Sequence, residues 1–299
     1  MTLFAFVLVF FSVFLHVAWN FISKSVKPSL AFYMLMSGTS ACICLPFFVF
    51  SDLRLAALPA AFFYLLLGSI AAEVMYVAGL AYAYRKGDIS LSYPLVRALP
   101  VLLVAATTLI FGIGKPPGKM ALFGMLIISA GCIFMPLKRF RDFGIRLYWN
   151  KVIIFILLGA LGTTGYTIAD SSAVILIKQV FARERVMDLL AYLFLVEFGL
   201  CAGQMFFVFA LKAERAEFKR LFMRSIYPCL AGVCACSAYA LVLLAMRNVS
   251  NVSYVQAFRQ MSLPLGFIAG IFMLKESGGL PKTVGMILVV CGLVITCLG

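Results

Sequence analysis

Ten apolar stretches, separated by short polar or charged segments, follow one another along the chain. A helix that crosses a bilayer needs about 20 predominantly apolar residues. Turn-forming and charged residues stand between several of the stretches, for example at 27–29, 85–88, 112–118 and 277–281. The pattern therefore predicts ten membrane-spanning helices, at residues 2–23, 30–50, 60–84, 89–111, 119–137, 152–173, 189–211, 226–246, 252–274 and 283–298.

The composition excludes a soluble globular protein. Of the 299 residues, 64% are hydrophobic and 12% are charged, whereas about a quarter of the residues are charged in an ordinary soluble domain. Ten helices leave only about 100 residues for connections and ends, which is too few for a soluble enzymatic domain. The first apolar stretch lacks a basic leading region and a cleavage site, so we interpret it as a membrane helix. The sequence thus predicts an all-α integral membrane protein.

Basic residues are divided unevenly between the two sides of the predicted membrane. Of the 25 Lys and Arg residues, seven fall on the side that holds both chain termini and sixteen on the opposite side, while Arg97 and Arg259 lie inside helices. Because cytoplasmic loops carry an excess of Lys and Arg, we expect both termini to be non-cytoplasmic. This topology accounts for most of the net charge of +14, so no nucleic-acid partner is expected.

An internal repeat relates the two halves of the chain, because residues 161 positions apart match without gaps. The matching pairs are Tyr93 with Tyr254, Phe111 with Phe272, Gly118 with Gly279, Gly124 with Gly285, Met125 with Met286 and Gly131 with Gly292. We therefore predict two five-helix units, at 1–145 and 146–299. Since five is odd, the second unit is inverted in the membrane. Inverted repeats are typical of secondary transporters, which bind substrate at the repeat interface near the midplane.

Two arginines lie inside predicted helices, where an ionisable side chain is costly and usually functional. Arg97 and Arg259 occupy nearly matching repeat positions, so an inverted twofold axis would place them on opposite walls of one cavity. Their guanidinium groups would suit a carboxylate or phosphate group of a substrate. The alternative is structural: each arginine is neutralised by Glu73 or Glu197, or donates to backbone carbonyls at a helix break. The sequence leaves both alternatives open.

Three acidic residues inside predicted helices, Glu73, Glu197 and Asp170, are candidate coupling residues. Glu73 is the leading candidate for a proton carrier, because burial favours the protonated form of a carboxyl group. As a static counter-ion of Arg97 it would instead stay ionised. His16, the single histidine, either carries protons or makes a contact within its helix. Protons are therefore one coupling ion that the sequence allows.

Uncharged polar and aromatic side chains near these positions complete the predicted substrate site. Polar groups inside membrane helices commonly face the interior of the bundle or a water-filled cavity. The predicted substrate-binding residues are Arg97, Arg259, Tyr93, Tyr254, Gln256, Gln260, His16, Trp19, Asn20 and Tyr76. No cofactor or metal is expected, because the chain has no glycine-rich phosphate loop and no ligand spacing typical of a metal site.

Several short motifs, in order along nearly the whole chain, resemble EamA-type members of the drug/metabolite transporter superfamily. They are LHVAWN at 15–20, AYRKGDIS at 83–90, YPLVR at 93–97, GYTIAD at 165–170, VSY at 252–254 and LKE at 274–276. The resemblance implies ten transmembrane helices in two inverted five-helix repeats around a central cavity. It also implies export or exchange of small metabolites by alternating access.

The chain departs from the pattern of that family at two places. The first repeat commonly has a Gly-Glu pair where this chain has Lys115 followed by two prolines. Glu73 occupies a position that relatives fill with a histidine or an apolar residue. Because of this second departure, proton coupling cannot be carried over from relatives at this position. Glu73 could equally give this chain a substrate specificity that differs from theirs.

The sequence predicts a secondary transporter of the bacterial inner membrane for a small polar metabolite, anionic or zwitterionic. Its partners would be that metabolite, membrane lipids and, as an alternative, protons, and a monomer suffices because both halves lie in one chain. The alternatives are a proton-coupled exporter of cationic or hydrophobic drugs, and a channel or scaffold without active transport. An enzyme is not expected, because the chain has one histidine and no recognisable catalytic triad or metal motif.

Overall fold

Helices dominate the structure. They account for 86% of the chain, and the part of the chain that is described contains no strand, so the predicted all-α class is confirmed. The computed structural model describes residues 2–26, 28–86, 89–137, 139–144, 152–182, 185–274 and 279–299.

The helices follow the predicted apolar stretches closely at most boundaries. The clearest extension is that of α6, which continues to Phe181 instead of ending near residue 173. The helices are α1 (Leu3–Ser25), α2 (Leu30–Phe50), α3 (Ala60–Lys86), α4 (Ile89–Ile110), α5 (Lys119–Phe134), α6 (Ile153–Phe181), α7 (Val186–Ala210), α8 (Lys212–Arg224), α9 (Tyr227–Met246), α10 (Val252–Phe258), α11 (Ser262–Leu274) and α12 (Leu280–Leu298).

Among the described residues, seven helices are long and apolar enough to cross a membrane: α1, α2, α3, α6, α7, α9 and α12. Two shorter apolar helices are Pro94–Ile110, within α4, and Lys119–Phe134, which is α5. Large apolar side chains such as Phe4, Tyr64 and Phe206 are exposed on the outer surface. Exposed apolar surface of this kind favours contact with lipid over contact with water. These features are those of a multi-pass membrane protein.

The predicted helix at 252–274 is interrupted in the structure. It consists of α10, a 3-10 turn at Arg259–Met261 and α11. Pro264 explains the interruption, because a proline has no amide hydrogen for the carbonyl four residues earlier and its ring clashes with that carbonyl. The tighter turn brings the carbonyl oxygen of Arg259 within reach of side-chain donors, and this position becomes part of the site described below.

The basic segment 212–224, predicted as a connecting loop, forms the helix α8. Most of its residues are strong helix formers such as Lys, Glu, Arg and Ala, which a search for apolar stretches does not detect. Glu214 and Leu221, about two turns apart, are buried. The Glu214 Oε2 atom accepts a hydrogen bond of 3.1 Å from the backbone N–H of Ala31. The segment between α7 and α9 is thereby tied to the first turn of α2.

Close helix pairs hold the bundle together: α1 packs along α9, α2 along α7, α3 along α6 and α5 along α12. The α5–α12 pair depends on glycines. A Cβ atom on Gly124 would lie 2.6 Å from the carbonyl oxygen of Gly292, and one on Gly292 would lie 2.7 Å from that of Gly124. Gly131 and Gly285 have the same relation, at 2.6 Å in both directions. Any side chain at these four positions would force the two helices apart.

Candidate functional site

A cavity lies in the centre of the bundle and brings together side chains from both halves of the chain. Its empty volume is about 730 Å³, including the part that opens towards solvent. Helices α1, α2, α3, α4, α6, α7 and α9 and the 3-10 turn contribute to its wall. The charged and hydrogen-bonding groups in the wall include His16, Trp19, Glu73, Arg97, Glu197 and Arg259.

Arg97, on α4, uses its guanidinium group to hold the helix break in the second half of the chain. Its Nη2 atom donates to the carbonyl oxygen of Arg259 at 2.9 Å and to the Ser262 Oγ atom at 2.6 Å. The Ser262 hydroxyl donates to the same carbonyl at 2.9 Å. Of the two alternatives that the sequence allowed for Arg97, the geometry matches the structural one, in which it donates to a backbone carbonyl at a helix break.

Arg259, in the 3-10 turn, lies between two tyrosines. Its Nη1 atom is 3.3 Å from the Tyr166 hydroxyl, to which it donates, and its Cζ atom is 5.9 Å from the ring centroids of both Tyr166 and Tyr239. A cation at this distance from aromatic rings is attracted to them. Within the described residues, no carboxylate forms an ion pair with Arg259. A guanidinium group has five N–H donors, so Arg259 retains donors for a ligand.

Asp170, a predicted coupling residue, does not line the cavity but contacts Tyr239, which does. It is fully buried, with 0% of its surface exposed. Its carboxylate accepts a hydrogen bond of 2.6 Å from the Tyr192 hydroxyl and a second one from the Tyr239 hydroxyl. Because Tyr239 also contacts Arg259, a continuous chain of contacts links the buried carboxylate to the guanidinium group in the cavity.

Glu73 on α3 and Glu197 on α7 both line the cavity, and each is 7% exposed. In the portion of the chain that the structure describes, neither carboxyl group forms a hydrogen bond or an ion pair. The static pairing with arginine that the sequence suggested as an alternative is therefore not seen among these residues. A buried carboxyl group without a protein partner can accept a hydrogen bond from an ammonium group of a ligand or bind a proton.

Two of the three predicted substrate-binding residues on α1 line the cavity. His16 and Trp19 line it, and the Trp19 Nε1 atom donates to His16 Nδ1 at 3.1 Å. This contact requires an unprotonated Nδ1, so the second ring nitrogen of His16 carries the hydrogen in the neutral form. Asn20 instead donates to the carbonyl oxygen of His16 at 2.7 Å and lies outside the cavity wall. Tyr76 lines the cavity, with its ring centroid 5.7 Å from that of Tyr166.

The predicted binding residues on α10, and Gln260 in the 3-10 turn that follows it, do not line the cavity. The Tyr254 hydroxyl donates to the carbonyl oxygen of Gly299 at 3.5 Å, and the Gln260 amide donates to the carbonyl oxygen of Gln256 at 3.0 Å. Gln256 and Gln260 are fully buried. The side chain of Tyr93 lies outside the described residues. Of the predicted site on this part of the chain, only Arg259 faces the cavity.

Sequence reasoning missed the aromatic groups that hold Arg259 and Asp170. Tyr166 and Asp170 are four residues apart on α6, a spacing that places them on one helix face, and this signal was present in the sequence. Tyr192 and Tyr239 come from α7 and α9, and no spacing within one helix connects them to Asp170. In the described residues no three His, Cys, Asp or Glu side chains lie close enough together to hold a metal ion.

Comparison with known proteins identifies a shared fold and no family. No family model matches the chain, and no curated protein does. A crystal structure of another protein is similar, with a TM-score of 0.68 and 13% sequence identity. The alignment covers 98% of this chain and 97% of the other chain. At this level of identity the similarity shows that the whole helical fold is shared and carries no statement about function.

Proposed function

We propose that the protein is a secondary transporter that exports or exchanges a small polar metabolite, anionic or zwitterionic, by alternating access. The observation that carries this proposal is the Arg259 guanidinium group, which is buried in a central cavity and has no carboxylate partner among the described residues. A buried charge without a partner is costly, and an intramembrane charge that faces a cavity commonly marks a substrate pathway.

The helix packing supports the arrangement of ten helices in two inverted repeats. The pair α1–α9 and the pair α6–α3 each join one half of the chain to the other, and a twofold axis that exchanges the halves would convert one pair into the other; both pairs are present. The reciprocal contacts of Gly124 with Gly292 and of Gly285 with Gly131 are those expected for a twofold axis between α5 and α12. In this arrangement α10, the 3-10 turn and α11 count as one helix, and the charged α8 lies at the membrane surface.

The groups in the cavity favour a ligand with separated charges. Arg259 can bind a carboxylate or phosphate group with two parallel hydrogen bonds, while Tyr166 and Tyr239 hold its guanidinium group in place. Glu73 and Glu197 offer acceptors for an ammonium group. A zwitterion would satisfy both sets of groups, and an anion would satisfy Arg259 while the two carboxyl groups are protonated.

Glu73 and Glu197 are the proposed coupling residues, because each carboxyl group can bind either a proton or the ligand. Asp170 would act through the tyrosines, since it does not reach the cavity. The uneven distribution of basic residues supports a bacterial inner-membrane location with both termini non-cytoplasmic, and the motifs quoted above support an EamA-type drug/metabolite transporter.

A second candidate is a proton-coupled exporter of cationic or hydrophobic drugs. The carboxyl groups of Glu73 and Glu197, which are unpaired among the described residues, favour it, because they lie in a wall that also contains the aromatic rings of Trp19 and Tyr76. Aromatic faces and carboxylates together suit an organic cation. The sign of the ligand charge that the protein prefers distinguishes this candidate from the first.

Thermal unfolding of the purified protein tests both candidates, with a panel of organic anions, amino acids, nucleosides and organic cations. A ligand that binds the folded state raises the unfolding temperature with its concentration. We expect stabilisation by anions or zwitterions that is lost in Arg259→Ala and kept in Arg54→Ala, a matched change of an exposed arginine. Stabilisation by anions that survives Arg259→Ala would contradict the role of Arg259.

Stabilisation only by cations, lost in Glu73→Gln and unchanged in Arg259→Ala, would favour the drug exporter. A flux assay in proteoliposomes with the stabilising ligand then separates a transporter from a scaffold. Accumulation against a concentration gradient is expected for a secondary transporter, and equilibration without accumulation would indicate a channel.

A further inference from the structure

The helix α10 is unusual because it is buried on every side. All seven residues of α10 are buried, and so are Asn251 before it and Arg259 and Gln260 after it. Its inner end continues into Arg259, which lines the cavity. Asn251 at its outer end lies about 12 Å away along the helix axis, at the end of the bundle where the Thr2 hydroxyl donates to the carbonyl oxygen of Asn248. We call this the terminus end of the bundle.

One face of α10 and of the 3-10 turn that follows it carries polar groups that have no hydrogen-bond partner among the described residues. Ser253, Gln256 and Gln260 are each 0% exposed. Within the described residues, no hydrogen bond is formed by the Ser253 hydroxyl, by either polar atom of the Gln256 amide or by the Gln260 Oε1 atom. Most buried polar groups in proteins are paired, because an unpaired one destabilises the folded state. Three neighbouring side chains with unpaired groups therefore require an explanation beyond packing.

A set of hydrogen bonds between the two halves of the chain closes the terminus end over α10. The Asn251 side chain donates to the carbonyl oxygens of Ile113 and Lys115 at 3.0 and 3.1 Å, and the Lys115 N–H donates to the carbonyl oxygen of Ser250 at 2.9 Å. Gly114 has a φ angle of 73°, and a Cβ atom there would lie 2.6 Å from that same Ser250 oxygen. We call these contacts the Asn251 latch.

We infer that α10 is the closed gate at the terminus end, and that Ser253, Gln256 and Gln260 line the substrate path when the Asn251 latch opens. The inference rests on the proposed transport function. Their unpaired groups would then bind water and the polar groups of the substrate between Arg259 and the terminus side of the membrane. An alternating-access cycle requires such a path, since the path on one side is closed while the other is open.

Thiol labelling tests the gate without any knowledge of the substrate. The nine native cysteines are replaced, and Gln256→Cys is exposed to a charged, membrane-impermeant thiol reagent on each face of sealed vesicles. We expect labelling from the terminus side only. Gln204→Cys is the matched control, because Gln204 on α7 is also buried with both amide atoms unpaired but lies outside α10 and the cavity wall.

The latch is tested in the same experiment by adding Asn251→Ala. Loss of its two hydrogen bonds to the opposite half should raise the labelling rate at position 256 about tenfold, since both bonds stabilise the closed state. Absence of labelling at position 256, no acceleration by Asn251→Ala, or equal acceleration at position 204 would each overturn the inference. If no ligand of the panel raises the unfolding temperature, that result counts against the proposed function, whereas the labelling result can still be interpreted.

Gln256→Leu provides a second measurement. Because the Gln256 amide has no hydrogen-bond partner among the described residues of the closed state, its replacement should leave the unfolding temperature unchanged or raise it. The flux of whichever ligand stabilises the protein should fall by at least about fivefold, since the open path loses a polar group. A lower unfolding temperature would reveal a structural partner for Gln256 and overturn the inference, as would an unchanged flux.

Discussion

Arg97 and Arg259 lie in one cavity and at nearly equivalent positions of the proposed repeats, yet their surroundings differ. The Arg97 guanidinium group donates to the carbonyl of Arg259 and to Ser262. The Arg259 guanidinium group contacts the rings of Tyr166 and Tyr239. The difference shows that a buried arginine in a membrane helix is not by itself evidence of substrate binding. Its hydrogen-bond partners decide between a structural and a functional role.

The helix break at Arg259–Met261 explains why the two arginines have different contacts. A 3-10 turn between α10 and α11 presents the carbonyl oxygen of Arg259 to side-chain donors, and α4 packs close enough to supply Arg97. The backbone of residue 259 is thus held by one arginine while its own side chain faces the cavity. A single break therefore both binds the halves together and positions the cationic group.

Arg97→Leu should produce the largest effect on stability. It removes two charge-assisted hydrogen bonds at a buried helix break, which together are worth about 3 kcal/mol of the free energy of unfolding. Unfolding in mixed micelles measures the loss, and Arg97→Lys should recover part of it because the ammonium group still donates. Arg259→Leu serves as the comparison and should cost less, since one long hydrogen bond and two ring contacts are lost. Equal losses for the two leucine variants would remove the distinction between the arginines.

Arg259→Lys should produce a smaller effect than Arg97→Leu, and the property that changes should be the affinity for a ligand. Lysine keeps the positive charge but cannot donate two parallel hydrogen bonds to one carboxylate or phosphate group. We expect the affinity for a stabilising anion or zwitterion to fall about tenfold, which corresponds to about 1.4 kcal/mol. Isothermal titration measures it. An unchanged affinity in Arg259→Lys would indicate that the ligand recognises only the charge.

Tyr239→Phe and Tyr192→Phe should produce the smallest effects and separate two functions of the Asp170 cluster. Each variant removes one hydrogen bond to the buried Asp170 carboxylate, so each should lower the free energy of unfolding by about 1 kcal/mol. Of the two, only the Tyr239 ring contacts Arg259, and phenylalanine keeps this ring but loses the hydrogen bond to Asp170 that orients it. Ligand affinity should therefore change in Tyr239→Phe and stay unchanged in Tyr192→Phe, as measured by titration. A change of affinity in both would show that Asp170 acts on the cavity as a whole.

Much of the helical pattern could be predicted from the sequence because it depends on local properties. Apolar length predicted the membrane-spanning helices, and Ser29 starts α2 by accepting a hydrogen bond from the N–H of Phe32. The rule of apolar length failed at two places. It predicted a loop for the charged α8, whose helix depends on backbone propensity and on buried Glu214. It also predicted one helix where Pro264 produces a break.

The sequence by itself determined that the chain is helical and rich in membrane-spanning segments, and that Glu73, Arg97 and Arg259 lie among apolar residues. Only the tertiary structure decided which partners these groups contact. The bond from Arg97 to the carbonyl of Arg259 joins residues 162 positions apart, and the tyrosines on Asp170 come from two other helices. Such partners are set by how helices pack, and hydropathy along one helix contains no information about the neighbour that its polar groups will meet.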